Sequence, residues 1–372
     1  MKTRLANLIL ATSVISLLAI YPIPSTRIEA VDPGISLRMI PVESLESGYF
    51  DNPDYSYSLP PATDSPAIPD DEYSYKQWTL NKLQAFEAWQ ITAGKQTALI
   101  AILDTGIDQN HEDLIGKVTA GINLSDSPTP SDFQGHGTHI AGIISAITNN
   151  GIGIAGVAPN SRLLDVKVVD DSSMINPSKV AKGIVWAVDN GANVINMSFT
   201  LSKPVREVRD AVNYAWNKGA IIVTASSNYP SDTPAYPACY SNCIAVTATN
   251  SNSPVISQPY GGYWEDVAAP GISIYSTLPA NYYGYKSGTS MAAAYVAGVA
   301  GMLFSAVHDV NDNRLLNDEV RYMIENGCSE IGIMSTGKGQ SSKVTKTTTT
   351  QAIAELHSGE IHTLITRYGI NY

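Results

Sequence analysis

The sequence KSGTSMA, residues 286–292, leads directly into an uncharged, small-residue-rich segment that runs from Met291 to Phe304. A segment of this composition predicts a helix buried on all sides, and it is too short to be a convincing membrane span. Ser290 lies at the start of that helix, where unpaired backbone N–H groups can stabilise negative charge. Taken alone, the position also fits a serine that only caps the helix, so its meaning depends on other stretches.

The composition describes a mostly globular chain. It has 372 residues, of which 44% are apolar and 15% charged, enough for one large domain or two small ones. The net charge is −11 and the sequence shows no basic stripe, which argues against a nucleic-acid partner.

The N-terminus is predicted to be a signal peptide, residues 1–30. A short basic start precedes an uncharged stretch from Leu8 to Tyr21, which is typical of a secretory signal with a cut after Ala30. An uncleaved signal anchor is the open alternative, and it is the only membrane association that we expect. The protein should therefore be secreted or periplasmic.

The rest of the chain divides into three parts. Residues 31–72 are rich in Pro, Ser, Asp and Tyr without any period, which predicts a linker or a short pro-segment. Residues 73–340 alternate strand-like and helix-like segments, the last helix being predicted over 313–326. This alternation predicts an α/β fold in three layers, a doubly wound, mostly parallel sheet with helices on both faces. No structure is assigned to the C-terminal tail, residues 341–372.

The three cysteines are Cys239, Cys243 and Cys328. In an exported protein, Cys239 could pair with Cys243 across the short loop between them, which would leave Cys328 over. No His or further Cys lies nearby in the sequence, so a zinc site is not expected.

Two further stretches supply chemical partners for Ser290. Asp104 follows an apolar, strand-like run, and His136 lies between two glycines at the start of a predicted helix. A hydroxyl nucleophile needs an imidazole to take and return its proton, and a carboxylate to hold the imidazole in one tautomer. Asp104 and Asn228 both fall just past predicted strand ends, where parallel sheets place their ligands.

Other hydrolases fit less well. The Asp-Thr-Gly at Asp104 also occurs in aspartic proteases, but those need two such aspartates, and the sequence has no second Asp-Thr-Gly or Asp-Ser-Gly. An α/β-hydrolase would run Ser, Asp, His and would have Gly where this chain has Ala292. Each motif by itself also has a purely structural interpretation, a turn for Asp104 and a helix start for His136.

Taken together, DTGID at 104–108, HGTHIAG at 136–142 and GTSMA at 288–292 resemble the three signatures of the subtilisin-like serine proteases, or subtilases. Further stretches look like thermitase-type subtilases, including AVNYAWNKG at 211–219 and VAAPG at 267–271. One departure follows the serine, where Ala293-Ala294-Tyr295 replaces the usual Thr-Pro-His of the family.

The resemblance implies an exported serine endopeptidase that acts on polypeptides. Ser290 would form the acyl-enzyme, His136 would be the general acid/base, and Asp104 would orient His136. Asn228 would be the side-chain donor of the oxyanion hole. We expect a monomer. The open alternative is a catalytically silent subtilase fold that serves as a binding protein.

The resemblance also implies that a substrate strand lies against an edge segment at residues 198–200. Thr200 and Ser227 stand where the family usually has glycine, so we expect narrower walls for the S1 pocket and smaller P1 residues. The predicted substrate-binding residues are Ser198, Phe199, Thr200, Ser226 and Ser227.

Calcium is the cofactor that the resemblance implies, in a stabilising role. Calcium needs six or more hard oxygens, and the family supplies them from an N-terminal Asp, an Asp after the first motif, and a loop. Asp70 is the first choice for the N-terminal ligand, with Asp71 one residue away. The predicted metal ligands are Asp70, Asp113, Thr148, Asn150, Ile152 and Ile154.

Overall fold

The computed structural model describes residues 68–228, 234–251, 264–335 and 341–347, with the backbone alone from residue 328 onwards. The predicted signal peptide, nearly all of the predicted linker and most of the predicted tail lie outside the described residues. The boundary expected at residues 340 and 341 falls between two strands that pair with each other, Cys328–Ser335 and Ser341–Thr347.

Alternating strands and helices run through the described residues. The strands are β1 (Leu99–Asp104), β2 (Val118–Asn123), β3 (Arg162–Lys167), β4 (Val194–Met197), β5 (Ile221–Ala225), β6 (Cys243–Thr249), β7 (Val267–Pro270), β8 (Ile274–Leu278), β9 (Tyr282–Lys286), β10 (Cys328–Ser335) and β11 (Ser341–Thr347). The helices are α1 (Trp78–Lys82), α2 (Ala85–Trp89), α3 (His136–Ser145), α4 (Pro177–Asp189), α5 (Arg206–Asn217), α6 (Thr289–Phe304) and α7 (Asn317–Asn326).

Nine of these strands form one sheet in the order β10-β11-β7-β6-β5-β4-β1-β3-β2, and β8 and β9 form a separate hairpin. From β7 to β2 every neighbouring pair is parallel. One apolar cluster joins α3, α6 and α7 to one face of this sheet, and a second joins α4 and α5 to the other face. The predicted three-layer, doubly wound fold is therefore confirmed.

Helix α6 is the centre of the first layer. Its residues from Thr289 to Leu303 are all buried, and its small side chains allow the sheet to come close. A Cβ at Gly301 would lie 2.5 Å from Ile100 Cδ1, so a larger residue there would require the Ile100 side chain to move. Tyr295, the bulky departure after the serine, is 1% exposed, and its hydroxyl lies 2.5 Å from Thr79 Oγ1, so α1 supplies its polar partner.

Helix α7 begins at Asn317, four residues later than its predicted start. Asp309, Asn311 and Asn313 accept hydrogen bonds from backbone N–H groups two residues further on or more, which folds this segment into a loop instead of a first helical turn.

Two further observations concern the cysteines and membranes. Within the described residues, Cys239 and Cys243 are free thiols, and burial raises the pKa of Cys239 to about 11. The side chain of Cys328 lies outside the described part. None of the helices in this part of the chain combines the length and apolar character that a bilayer crossing requires.

Candidate active site

Asp104 is the last residue of β1, at the carboxyl end of the parallel sheet. The chain then turns sharply at Gly106, whose φ is 104°. A Cβ there would lie 2.4 Å from the carbonyl oxygen of Pro130, so the turn requires glycine. The Asp104 carboxylate is held by its own turn, because its Oδ1 accepts the backbone N–H of Thr105 at 2.7 Å.

His136 is the first residue of α3, and the buried Asp132 carboxylate fixes the turn that leads to it. Asp132 accepts the backbone N–H groups of Gly135 at 2.8 Å and Thr138 at 2.9 Å. It also accepts the Thr105 hydroxyl at 2.8 Å, and that hydroxyl accepts the N–H of Gly137 at 2.9 Å. The aspartate motif and the histidine motif are thereby tied to each other.

Asp104 and His136 meet directly. His136 Nδ1 lies 2.7 Å from Asp104 Oδ1, and since a carboxylate only accepts, Nδ1 carries the proton. The imidazole is 27% exposed and the carboxylate 2% exposed. Burial favours the neutral imidazole, but the Asp104 charge and hydrogen bond outweigh it, so the pKa of His136 lies above its ordinary value. The other imidazole nitrogen, Nε2, is left for a reacting group.

Ser290 is the second residue of α6 and is 7% exposed. Its hydroxyl donates to the backbone carbonyl of Ser198 at 3.0 Å, and the Ser198 hydroxyl donates to the carbonyl of Ser290 at 3.0 Å. The structure thus joins Ser290 to the predicted substrate edge and Asp104 to His136. A hydrogen bond from the Ser290 hydroxyl to the imidazole requires that the hydroxyl first leave the Ser198 carbonyl.

Asn228 follows the end of β5 and reaches the start of α6. Its Oδ1 accepts the backbone N–H of Thr289 at 2.8 Å and the Thr289 hydroxyl at 3.0 Å. With its oxygen held, the amide nitrogen remains a donor close to Ser290. A Cβ at Gly288 would lie 3.1 Å from this amide, so the glycine of the serine motif makes room for it.

The five predicted substrate-binding residues differ in where they lie. Ser198 is buried, Thr200 is exposed, and Phe199 packs against the apolar cluster of α4 and α5. Ser227 is half-buried with φ at 148°, a backbone conformation that favours glycine. Ser226 is fully buried, and its hydroxyl donates to Glu265 Oε1 at 2.9 Å.

Glu265 was not predicted from the sequence. It is 8% exposed, and burial raises its pKa to about 8, although hydrogen bonds from Ser226 and Thr247 oppose this. The sequence shows an acidic residue just before the apolar strand β7. No local pattern, however, predicts that this residue contacts Ser226. The importance of Asp132 was also missed, since an Asp in a Ser- and Pro-rich loop reads as a surface turn.

The predicted calcium residues meet at the loop from Thr148 to Ile154. Asp71 is 3% exposed and accepts the N–H groups of Asn149 at 3.0 Å and Asn150 at 3.3 Å. Asp113 is fully buried and accepts the Asn150 side-chain amide at 3.1 Å and the N–H of Ile154 at 2.8 Å. Burial raises the pKa of Asp113 to about 7.

Asp70, the first choice for the N-terminal ligand, is exposed, and its Oδ1 accepts the N–H of Gly151 at 3.2 Å. The buried carboxylate is that of Asp71, the neighbouring residue, so the structure favours Asp71 over Asp70 as the N-terminal ligand. Ile152 is exposed, and the Thr148 hydroxyl donates to the Ala146 carbonyl at 3.3 Å. Asp71 and Asp113 are two buried carboxylates that both accept hydrogen bonds from Asn150, and such a pair suits a site for a hard cation such as calcium. Among the described residues no three His, Cys, Asp or Glu side chains converge, so amide and backbone oxygens would have to complete the set.

Comparisons with known proteins show the family to which the chain belongs. The chain matches the family described as the Subtilase family over residues 95–356. Thermitase of Thermoactinomyces vulgaris is 46% identical over 265 residues, which are 71% of this chain and 92% of that protein. Thermophilic serine proteinase of Bacillus sp. strain AK1 is 40% identical over 299 residues, 79% of this chain and 73% of that protein. A solved protease structure from Pseudoalteromonas arctica has a TM-score of 0.67 at 25% identity, covering 78% of this chain and 100% of that one.

Proposed function

Since this chain belongs to the subtilase family and is a subtilisin-like serine endopeptidase, we propose that it hydrolyses peptide bonds through an acyl-enzyme on Ser290. His136 is the general acid/base, Asp104 orients it, and Asn228 contributes to the oxyanion hole. The observation that carries the proposal is the 2.7 Å contact between His136 Nδ1 and Asp104 Oδ1, because it leaves Nε2 unprotonated and able to accept a proton.

The chemistry follows from these positions. As Ser290 Oγ bonds to the carbonyl carbon of the substrate, its proton passes to His136 Nε2. The negative charge that develops on the substrate oxygen is met by the Asn228 amide and by the backbone N–H of Ser290 at the start of α6. His136 then returns the proton to the leaving amine. In the second half, water attacks the acyl carbon and gives a proton to the same imidazole. The bond to Ser290 Oγ then breaks, and His136 returns the proton to Ser290 Oγ as the carboxylic acid product leaves.

The substrate strand is proposed to pair with residues 198–200, and Ser226 and Ser227 belong to the opposite wall of the S1 pocket. Support comes from the hydrogen bond of Ser290 to the Ser198 carbonyl, which puts the nucleophile beside this edge. The side chains of Thr200 and Ser227 restrict P1 to smaller residues. A substrate library in which Phe or Tyr dominates at P1 would contradict this restriction.

Calcium is proposed to stabilise the N-terminal segment against the loop from Thr148 to Ile154. Asp71 and Asp113 would supply carboxylate oxygens and Asn150 its amide oxygen, with Asp70 close by. The backbone oxygens of Thr148, Ile152 and Ile154 would complete the set. When bound, the ion neutralises two buried carboxylates. Asp113→Asn should therefore reduce the calcium dependence of the unfolding temperature, measured in calcium and in EDTA.

Export and processing are proposed from the sequence. Residues 1–30 act as the signal, 31–72 as a linker or short pro-segment, 73–340 as the peptidase domain, and 341–372 as a tail. The mature enzyme is secreted or periplasmic and monomeric. Intact-mass measurement of the protein recovered outside the cytoplasm tests this assignment, and a mature N-terminus within the peptidase domain would overturn it.

Labelling by a fluorophosphonate probe is the direct test of the nucleophile. The native enzyme should be labelled at one site and Ser290→Ala should not be labelled. Ser287→Ala, which removes an exposed hydroxyl three residues earlier, is the matched control and should label like the native enzyme. Failure of well-folded native protein to react would instead favour a catalytically silent fold that binds polypeptides.

A further inference from the structure

Two basic residues lie side by side where β2 and β3 begin. Lys117 directly precedes β2, and Arg162 is the first residue of β3. These strands are parallel neighbours with Val118 opposite Leu163, so the residues one position earlier are adjacent. The strands begin at the end of the sheet opposite to the one that carries Asp104, so this pair is separate from the proposed active site.

Both side chains are bound to neutral groups only. Lys117 is 8% exposed, and its Nζ donates to the backbone carbonyl of Pro159. Arg162 is half-buried, and its Nη1 donates to the backbone carbonyl of Gly116. An ammonium has three N–H donors and a guanidinium five, so each group keeps donors for a further partner. None of the ion pairs among the described residues includes Lys117 or Arg162.

The two positive charges destabilise each other. Like charges on neighbouring strands repel, and a buried charge without a counter-charge is costly. Burial and then the Arg162 charge lower the pKa of Lys117 to about 8, although the Asp113 charge opposes this. The Asp113 oxygens already accept hydrogen bonds from Asn150 and Ile154. A further negative charge beside Lys117 and Arg162 would therefore stabilise the pair.

Lys117 and Arg162 line one open pocket of about 280 Å³. This volume is slightly below the range of sites for drug-sized ligands, so the pocket suits a small ion with a few waters. Gln96 and Asn160 also line it, and their side-chain amides can donate. None of the described residues that line it is an Asp or Glu. In a chain of net charge −11, two cations and no acid in one pocket favour an anionic ligand.

We propose that this pocket binds a tetrahedral oxyanion, such as sulfate or phosphate, and so joins the segments that precede β2 and β3. The planar guanidinium of Arg162 suits two oxygens of one oxyanion, and the Lys117 ammonium supplies a second, compact charge. The amides of Gln96 and Asn160 bind the remaining oxygens. Chloride fits less well, because a single atom cannot occupy both positions of the guanidinium fork.

Isothermal titration calorimetry with sodium sulfate tests the proposal. Every sample carries Ser290→Ala to prevent self-digestion, so the result does not depend on the peptidase chemistry. The protein should bind one sulfate saturably. Arg162→Gln and Lys117→Met should each weaken that binding by about 10- to 100-fold, because each removes a charge-assisted hydrogen bond. Because Arg162 is half-buried, Arg162→Gln decides the matter even where Lys117→Met does not fold.

Two controls separate a site from general salt effects. Lys182→Gln removes an exposed positive charge on α4 and should keep the native affinity for sulfate. Sodium chloride titrated at the same ionic strength should give no saturable binding. A rise in unfolding temperature would not be sufficient evidence, because sulfate stabilises folded proteins in general.

The pH dependence gives a second readout. Sulfate does not titrate near neutral pH, and Arg162 stays charged. Sulfate binding should therefore weaken as the pH rises through the Lys117 pKa of about 8, and this dependence should be absent in Lys117→Met.

Three results would overturn the proposal. They are the absence of saturable sulfate binding, a native affinity in the Arg162→Gln variant, and chloride binding as strong as that of sulfate. The last result would indicate charge screening without a shaped site.

Discussion

On the histidine side of the active site, the motif segments are joined through Asp132, which accepts hydrogen bonds from the backbone at Gly135 and Thr138. On the side of the proposed oxyanion hole, Asn228 Oδ1 accepts hydrogen bonds from Thr289, but the conformation or partner of the two residues before it is less favourable. Ser227 has φ at 148°, and Ser226 relies on Glu265, whose pKa burial raises to about 8.

This contrast shows two ways of positioning the groups that we propose to be catalytic. The histidine side uses the buried Asp132 carboxylate, and both of its oxygens accept hydrogen bonds. The oxyanion side carries backbone strain and a carboxyl that loses its proton in the alkaline range. The two sides should therefore respond differently to substitution and to pH.

The largest effect is expected on the histidine side. Asp104→Asn should lower kcat by about 10⁴-fold, because the imidazole loses the partner that holds its reactive tautomer. Native kcat/KM should fall as the pH drops through the raised pKa of His136, since only the neutral imidazole accepts the proton. The variant should show that fall at lower pH, because the Asp104 charge is what raises this pKa. Asp126→Asn, an exposed control, should leave the pH profile of kcat/KM unchanged.

On the oxyanion side, Asn228→Ala should lower kcat by about 10²–10³-fold, which corresponds to about 2.7–4 kcal/mol of transition-state stabilisation. KM should change little, because the charge that the amide meets exists only in the transition state. Steady-state kinetics with a peptide substrate measure both constants. A rise in KM at constant kcat would instead assign Asn228 to substrate binding.

Glu265→Gln tests how the buried carboxyl that accepts the Ser226 hydroxyl affects stability. The ordinary pKa of this group is 4.5, and its folded pKa is about 8. Between these values the unfolded chain releases the proton that the folded chain keeps, so the free energy of unfolding of the native protein falls as the pH rises. The variant lacks this proton and should lose less stability over the range, by up to about 5 kcal/mol.

Denaturant unfolding at several pH values, in the Ser290→Ala background, measures this difference. Glu87→Gln on α2 removes an exposed carboxyl and should match the native pH dependence. Parallel stability curves for the Glu265→Gln variant and the native chain would show that this carboxyl does not govern alkaline stability.

Ser227→Gly should have the smallest effect and the opposite sign. Relief of backbone strain is worth about 1–3 kcal/mol, and the added freedom of the unfolded chain takes back about 0.4–1 kcal/mol, leaving a gain of about 1 kcal/mol. The wider pocket should also accept larger P1 residues. Ser273→Gly is the control, since Ser273 has φ at 54° but is not among the residues assigned to the pocket. Only the Ser227 variant should change the P1 profile.

The fold and the family could be predicted because their signals are local. Strand and helix periods, and motifs such as Asp-Thr-Gly and His-Gly-Thr-His, are read within a few residues, and both predictions are confirmed. The roles of Asp104, His136, Ser290 and Asn228 stay predictions, although the structure brings the first two into contact. The helix predicted from Asn313 began too early, because side-chain bonds to the backbone there compete with helix formation.

The sequence by itself determined a parallel α/β protease scaffold and the order of its three family motifs. Only the tertiary structure decided that Asp71 is buried and Asp70 exposed, that Tyr295 meets Thr79, and that Glu265 lies against Ser226. The physical reason is that burial and hydrogen-bond partners arise between segments far apart in the chain. The charge state of a carboxyl depends on that packing, and no local pattern encodes it.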